Sequence, residues 1–416
     1  MAKKFKITII SMKDNGGGGG FTAAYRLFLA ILKNEISIDM LVQIKNSTNS
    51  NVVCPINKKD KFKYLIRVIL TRTILKIFGN KKNPDQTLAF FNSGWNKIIN
   101  GHSSDIINLH WVAGEMMSIE DISNISKPVV WTLHDMWAFS GVTHISYDGK
   151  SNLNSSCIKN NNLFDIDLNA LKRKKNFWIH PIHIVTPSNW LASHVKNSEI
   201  MKNWPVTVIP NIIETSLFKP LNKKSCKKIF GLNENKKIIL FGAFAGIVNQ
   251  NKGMAILLQS LDEIPENLST NFELVIFGQK EPLNFKSGKF RNIRWMGHID
   301  DEKKMCDLYN ASDIVVVPSK IEAFGLVAAE AHACGVPVVA FRNSGIQEVV
   351  SHKNTGYLAI PFEYTDFASG IIWTLKNTER LSISARKKAC DEWSPEVIVP
   401  KYIELYKTVI YDFNNK

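Results

Sequence analysis

The stretch Pro318-Ser-Lys-Ile-Glu-Ala-Phe-Gly-Leu-Val-Ala-Ala-Glu-Ala-His-Ala-Cys-Gly-Val-Pro-Val-Val-Ala340 decides the fold. Just before it, Asp313-Ile-Val-Val-Val317 is a short β-branched run, the pattern of a strand buried on both faces. The chain then passes a loop holding Glu322, opens a helix at Gly325, ends it at Gly335 and enters the strand Val336–Phe341 at once. Strand, loop, helix, strand is the crossover unit of a parallel sheet.

The same stretch carries a chemical logic. The first N–H groups of the helix, from Ala323, Phe324, Gly325 and Leu326, form with the helix dipole a place for a phosphate. Glu322 stands before the helix, in reach of hydroxyls beside that phosphate. Glu330 projects from a helix otherwise largely apolar and rich in Ala, an unusual setting for a lone carboxylate. Two such acceptors flanking a diphosphate can grip a sugar on one side and a ribose on the other. The plainer alternatives are Glu322 as a helix cap and Glu330 facing solvent.

Working outward, β-branched runs alternate with helical patterns throughout. Lys6–Ser11, Ile38–Ile44, Ile106–Leu109, Val129–Leu133 and His183–Thr186 read as strands, with an amphipathic helix over Phe21–Lys33. The pattern restarts with Lys237–Gly242, Phe272–Phe277, Asn292–Trp295, Asp313–Val317 and Val336–Phe341. Two successive sets predict two Rossmann-like α/β domains, residues 1–212 and 213–394, joined near the aperiodic, Pro-bounded segment 210–220. A last helical stretch, about 395–416, is expected to pack back onto the first domain. Gly16, Gly17 and Gly18, within the run Gly16–Gly20, sit between the first strand and first helix, where backbone N–H groups can approach an anionic ligand or simply form a loose turn.

Composition bounds the partners. In 416 residues there are 52 Lys plus Arg against 37 Asp plus Glu, a formal charge of +15, which favours an anionic partner unless it is compositional bias. Hydrophobic residues at 45% and charged residues at 21% exclude a largely disordered chain. The six cysteines form no Cys-x-x-Cys pair, which excludes zinc ribbons and fits a reducing compartment. No stretch is apolar for long enough to span a bilayer, and the N-terminal apolar run is too short for a signal peptide, so a cytoplasmic protein is expected. Lys61–Phe78 mixes large apolar residues with Lys and Arg and has no acid, a composition for an interfacial helix on anionic lipid with Arg67, Arg72 and Lys76 as its contacts, or for a helix packed on the domain with its basic residues solvated.

The combined string of strand, Glu322, Phe324-Gly325-Leu326, Glu330 and Cys334-Gly-Val-Pro-Val-Val resembles the retaining GT-B glycosyltransferases of glycosyltransferase family 4, the type found in bacterial polysaccharide biosynthesis. Val185–Trp190, Val208–Ile212, Asn251-Lys-Gly-Met254 and Asn343–Val350 extend the likeness over nearly the whole chain. The resemblance implies two Rossmann-like domains facing each other across a cleft. It implies a nucleotide-sugar donor, with a UDP-sugar expected, and retention of anomeric configuration without a metal or other cofactor. It assigns donor-sugar contact to Glu322, ribose contact to Glu330 and the donor diphosphate to Lys252. Many relatives carry an Arg where Ala243 stands, so the clamp here has one cation fewer.

Val130-Trp-Thr-Leu-His-Asp-Met-Trp-Ala-Phe-Ser140 resembles a hallmark of a subset of these enzymes. It makes His134 a catalytic candidate, with Asp135 orienting it or capping the next turn, and Asp135 and Trp137 as acceptor contacts; Trp137, Phe139 and Tyr147 could equally be core. Relatives often have further cysteines downstream, where only Cys157 is present. The spacings of His110, His134 and His144 fit no metal motif. The acceptor is expected to be a glycan, glycolipid or lipid-linked sugar at the inner face of the cell membrane, with no nucleic acid. A GT-B nucleotide-sugar epimerase and a non-enzymatic polyanion binder are the competing readings; the first would lack the tandem glutamates, and no nucleic-acid-binding motif supports the second.

Overall fold

The computed structural model describes residues 5–79, 85–145, 165–242, 249–283 and 285–415. The chain divides into two units, residues 1–209 with 399–416, and residues 210–398, against boundaries of 212 and 394 read from the sequence.

In the first unit the described strands are β1 (Ile7–Lys13), β2 (Ile38–Ile44), β3 (Val52–Val53), β4 (Ile106–Leu109), β5 (Val129–Thr132), β6 (His183–Thr186) and β7 (Val206–Val208). They form one sheet in the order β3-β2-β1-β4-β5-β6-β7, and every pair is parallel. β1, β4 and β5 are buried along almost their whole length, as parallel strands covered by helices on both faces must be. The helix Pro395–Asn414 joins this unit through two buried phenols. Tyr406 donates to Asn108 Oδ1 at 2.6 Å, and Tyr402 lies 3.4 Å from the Thr132 hydroxyl.

The second unit holds β8 (Lys237–Gly242), β9 (Phe272–Phe277), β10 (Ile293–Gly297), β11 (Ile314–Val317), β12 (Val338–Phe341) and β13 (Gly356–Ala359), in the order β10-β9-β8-β11-β12-β13, again parallel. Ile238, Leu240 and Val315 fill the core on one face of this sheet, while Ile239, Phe241, Ile314 and Val316 fill the other. Both sheets are therefore Rossmann-like. In each, the strand order reverses once, between β1 and β4 and between β8 and β11. The loops leaving the C-terminal ends of strands at such a reversal are where doubly wound sheets bind ligands.

β3, β7 and β13 were not anticipated. β3 is two residues long, β7 is only partly buried and β13 opens on a glycine, so none presents the long apolar run that marks a strand. One lysine of the basic run 172–175 lies in the core of the first unit. Lys174 is fully buried, and its ammonium donates to the carbonyls of Trp137, Ser140 and Gly141.

Candidate active site

The loop after β11 in the second unit is built from three pieces of chain. Asn251 clamps the first to the second: its amide donates to Ile321 O at 2.8 Å and accepts from Ile321 N–H at 3.0 Å, while its own carbonyl accepts from Lys320 N–H at 2.8 Å. This two-way pairing is a strand-like contact made by a side chain. Gly253 allows the approach. Its φ is 72°, and a Cβ there would lie 1.9 Å from Pro318 O. The third piece, Ser344-Gly345, closes the other side. Glu322 N–H donates to Ser344 Oγ at 3.0 Å, and Gly345 N–H donates to Glu322 O at 2.8 Å.

These contacts hold Lys252 and Glu322 against each other, Nζ to Oε1 at 2.8 Å. Glu322 is thus not a helix cap: the cap of the helix Leu326–Ala333 is Gly325, in the left-handed conformation and with no side-chain cap bond. Ala323 and Phe324 form the link between Glu322 and that cap, and Phe324 is buried against Trp393. Glu330 does not face solvent. It is 9% exposed, and Tyr309 donates its hydroxyl to Oε2 at 2.6 Å. One turn structure therefore brings together Lys252, Glu322 and the helix start, with Glu330 on the same helix. Ala243, Tyr147 and Cys157 lie outside the described residues.

The first unit gathers a second cluster at the C-terminal ends of β1, β4 and β5. Gly16, Gly17 and Gly18 follow β1 and lead into the helix Gly19–Lys33. The loop is pinned by the buried Asp14 carboxylate, which accepts N–H bonds from Asn15, Asn46 and Ser47. Burial raises its pKa, but hydrogen bonds from Ser47 and these backbone groups outweigh that and hold it below the usual carboxylate range. Gly20, rather than Gly16 to Gly18, is the glycine that meets His134: a Cβ on Gly20 would sit 3.3 Å from the ring.

His134 Nε2 lies 2.9 Å from His110 Nδ1, and His110 Nε2 lies 3.2 Å from Asn108 Oδ1. The Asn108 amide N–H groups are taken by Leu109 O, Val130 O and Thr132 Oγ1, so its oxygen faces both Tyr406 and His110. His110 must then carry its proton on Nε2 and accept at Nδ1, which makes His134 the donor at Nε2 and leaves its Nδ1 as an acceptor. Burial lowers the pKa of His134 to about 4, against the raising influence of Asp135, and burial with His134 beside it holds that of His110 well below the usual imidazole range. Both rings are neutral near pH 7.

Two residues of this segment have their polar partners within the first unit. Trp137 is 3% exposed, its indole donates to Thr87 O at 2.9 Å, and the Lys174 ammonium lies 4.1 Å from its ring centre, so it packs in the core, one of the two readings its sequence allowed. Asp135 accepts from Trp111 Nε1 at 2.8 Å, from the Trp137 N–H at 2.9 Å and from His144 Nδ1 at 2.7 Å. It ties Trp111, His144 and the first residue of the turn Trp137–Phe139 together; burial raises its pKa, but the neighbouring His144 and the hydrogen bonds from His144, Trp137 and Trp111 outweigh that and hold it below the usual carboxylate range. Asn251, Ser344, Tyr309, Asn108 and His110 were not marked as site residues. A polar residue at a strand end was the only local sign for His110, and Asn251 was marked only by flanking Lys252. Among the described residues no cluster of three or more His, Cys, Asp or Glu is placed to hold a metal ion, and no helix is long and apolar enough to cross a membrane.

Comparison with known proteins places this geometry. Residues 222–389 match the family described as Glycosyl transferases group 1. The chain is 27% identical over 263 residues to N-acetyl-alpha-D-glucosaminyl L-malate synthase of Bacillus anthracis, covering 60% of this chain and 65% of that protein. It is 27% identical over 244 residues to lipopolysaccharide 1,2-N-acetylglucosaminetransferase of Salmonella typhimurium, covering 54% and 61%. The chain thus spans under two thirds of the length of these curated relatives. Among solved structures, Anabaena HepE in complex with UDP and glucose superposes with a TM-score of 0.62 at 16% identity, over 97% of this chain and 99% of that one. The segment 222–389, which contains Lys252, Glu322 and Glu330, is therefore similar to the Glycosyl transferases group 1 family, and the chain has the GT-B fold of two Rossmann-like parallel sheets.

Proposed function

We propose that the protein is a glycosyltransferase that moves a hexose from a nucleotide-sugar, a UDP-sugar in the first instance, to a glycan, glycolipid or lipid-linked acceptor with retention of anomeric configuration. The observation that carries the reading is the Lys252–Glu322 pair, held 2.8 Å apart beside the start of the helix bearing Glu330. The sugar donor is gripped in the second unit. Lys252 and the backbone N–H groups of Ala323 to Leu326 neutralise the diphosphate as the bond from the anomeric carbon to its oxygen breaks. Glu322 accepts from hydroxyls of the transferred sugar and Glu330 from the ribose.

The first unit serves the acceptor. His134 Nδ1 accepts from an acceptor hydroxyl other than the reacting one; the reacting hydroxyl's oxygen bonds to the anomeric carbon as the bond to the diphosphate breaks, and its proton passes to a phosphate oxygen of the departing group. Gly16 to Gly18 offer backbone N–H groups to an anionic ligand. The work is done at the inner face of the cell membrane, in the synthesis of cell-surface polysaccharide or glycoconjugate; similarity to a lipopolysaccharide N-acetylglucosaminetransferase supports that setting. A panel of nucleotide-sugars, read by mass spectrometry for nucleotide release and by NMR for the anomer formed, tests this. Release of nucleotide diphosphate with an unchanged anomeric centre is expected. No release with any donor, or an inverted product, overturns it.

A further inference from the structure

The helix Lys58–Phe78 is amphipathic in an inverted sense. Its inward face is anchored at several points. Tyr64 donates its hydroxyl to Gly114 O at 3.3 Å, Ile74 and Leu75 pack on Leu88, Val142 and Ala170, and Thr71 is buried. Arg67 belongs to this face as well: it is partly buried, with Glu115 and Asp121 as its opposite charges, so it is not one of the outward cations expected from the sequence. The outward face carries large apolar side chains in water. Phe62 is 64% exposed, Leu65 52%, Ile69 55% and Ile77 64%, with Ile66 and Leu70 beside them. At about 100° per residue these six fall within an arc of about 140°.

Two features choose the occupant of this arc. First, exposed cations surround it: Lys61, Lys63 and Arg72 lie along its sides and Lys58, Lys59 and Lys76 toward the two ends of the helix, while the one acid of the helix, Asp60, has its carboxylate 3.6 Å from Lys63. Second, the chain carries a formal charge of +15, which opposes a second copy of itself and favours an anionic surface. Apolar side chains on one arc with Lys and Arg at its edges match the boundary between headgroups and acyl chains of an anionic bilayer.

We infer that the helix Lys58–Phe78 docks the protein on anionic lipid, with Phe62, Leu65, Ile69 and Ile77 inserted and the flanking cations on the headgroups. The placement has a consequence for the membrane setting proposed above. Gly114 follows β4 at the C-terminal edge of the first sheet, the edge at which His110 and His134 also lie. A docked helix therefore presents a lipid-borne acceptor to the edge of the sheet that carries His134.

Sedimentation of the full chain with vesicles of phosphatidylcholine, with and without phosphatidylglycerol, at low and high salt tests the inference. Binding only to the anionic vesicles is expected, weakening with salt. The double variant Leu65→Gln/Ile69→Gln, at two exposed positions, is expected to bind at least about tenfold more weakly with unchanged circular dichroism and unchanged transfer to a soluble acceptor. No binding to anionic vesicles, or equal binding by this variant, overturns the inference. So does a dimer of the parent chain in size-exclusion chromatography that the same variant dissociates, which would make a second copy the occupant. Vesicle binding is read without any donor, so failure of the transferase reading leaves this result standing, and the converse.

Discussion

Lys252 Nζ sits 2.8 Å from Glu322 Oε1 although the two residues are 70 positions apart. The pair closes because Asn251 pins one loop to the other, and it leaves a cation and a carboxylate in contact at the place where a diphosphate and a sugar hydroxyl would each take one of them. In the function proposed above, each side chain exchanges this standing partner for a substrate group.

This makes a double-mutant cycle informative. Lys252→Ala is expected to slow transfer at least on the order of 10²-fold, as for loss of one preorganised stabilising group. Glu322→Gln is expected to be comparably damaging. Because the two touch, the double variant should lose less than the product of the single losses. Single-turnover rates measure it, and strictly multiplicative losses would show that the two act independently.

Glu330→Gln removes one charge-assisted acceptor, an effect of roughly 1.5–3 kcal/mol on donor binding. Tyr309→Phe, which loses only the hydroxyl that donates to Glu330, should cost about 0.5–1.5 kcal/mol. Calorimetric titration with nucleoside diphosphate and with inorganic pyrophosphate distinguishes them. The deficit should appear with the nucleotide and vanish with pyrophosphate, which has no ribose; an equal deficit with both would remove Glu330 from the ribose.

The chain Tyr406–Asn108–His110–His134 sets the tautomer of His134 from two shells away. Asn108→Leu leaves His110 free to carry its proton on either nitrogen. Long-range ¹H–¹⁵N spectra of histidine-labelled protein should then show His134 losing its single Nε2–H form, with transfer falling by about tenfold. A His134 tautomer unchanged in this variant would mean the ring is held by something else.

Stability should fall on mild acidification. His110 and His332 are buried neutral, the latter with a pKa lowered to about 3 by burial. Each takes up a proton in the unfolded chain near pH 6.5 but not in the folded one. The unfolded state therefore binds more protons between about pH 6.5 and the folded pKa. Stability is lost as pH drops through 6.5, with a limiting slope of about 1.4 kcal/mol per pH unit for each ring. Thermal unfolding across pH 7 to 5 checks it, and His332→Gln should flatten the profile.

Gly253→Ala should be costly at the contact between two loops. The Cβ meets Pro318 O at 1.9 Å and the φ of 72° is strained for Ala, so a loss of at least about 1–3 kcal/mol is expected, together with weaker donor binding as the Lys252 loop shifts. Unchanged thermal stability would mean the two loops are not in fact locked there.

The parts of the protein legible in its sequence are those with a local cause. β1, β4, β5, β8, β9 and β11 show as β-branched runs because a strand buried on both faces needs them. The seven-residue gap between Glu322 and Glu330 is legible because loop and helix start are adjacent in the chain. β3, β7 and β13 were hidden because short or partly exposed strands carry no such run. In the helix Lys58–Phe78, apolar residues occur on both faces, so periodicity alone had no side to choose; only packing shows that Tyr64, Thr71 and Leu75 face in while Phe62, Leu65 and Ile69 face out.

The tertiary structure alone decided how distant residues are shared out. Trp137 and His134 lie three residues apart in one aromatic-rich string, yet the buried Lys174, from a helix further along the chain, packs under Trp137 and takes it into the core, while His134 faces Gly20 and His110. Asn251 reads as one more asparagine until the crossover brings its amide onto Ile321. The physical reason is the same in each case. Backbone geometry imposes a period that repeats within a few residues, whereas a parallel sheet brings strand ends together through crossovers whose length the local pattern does not record.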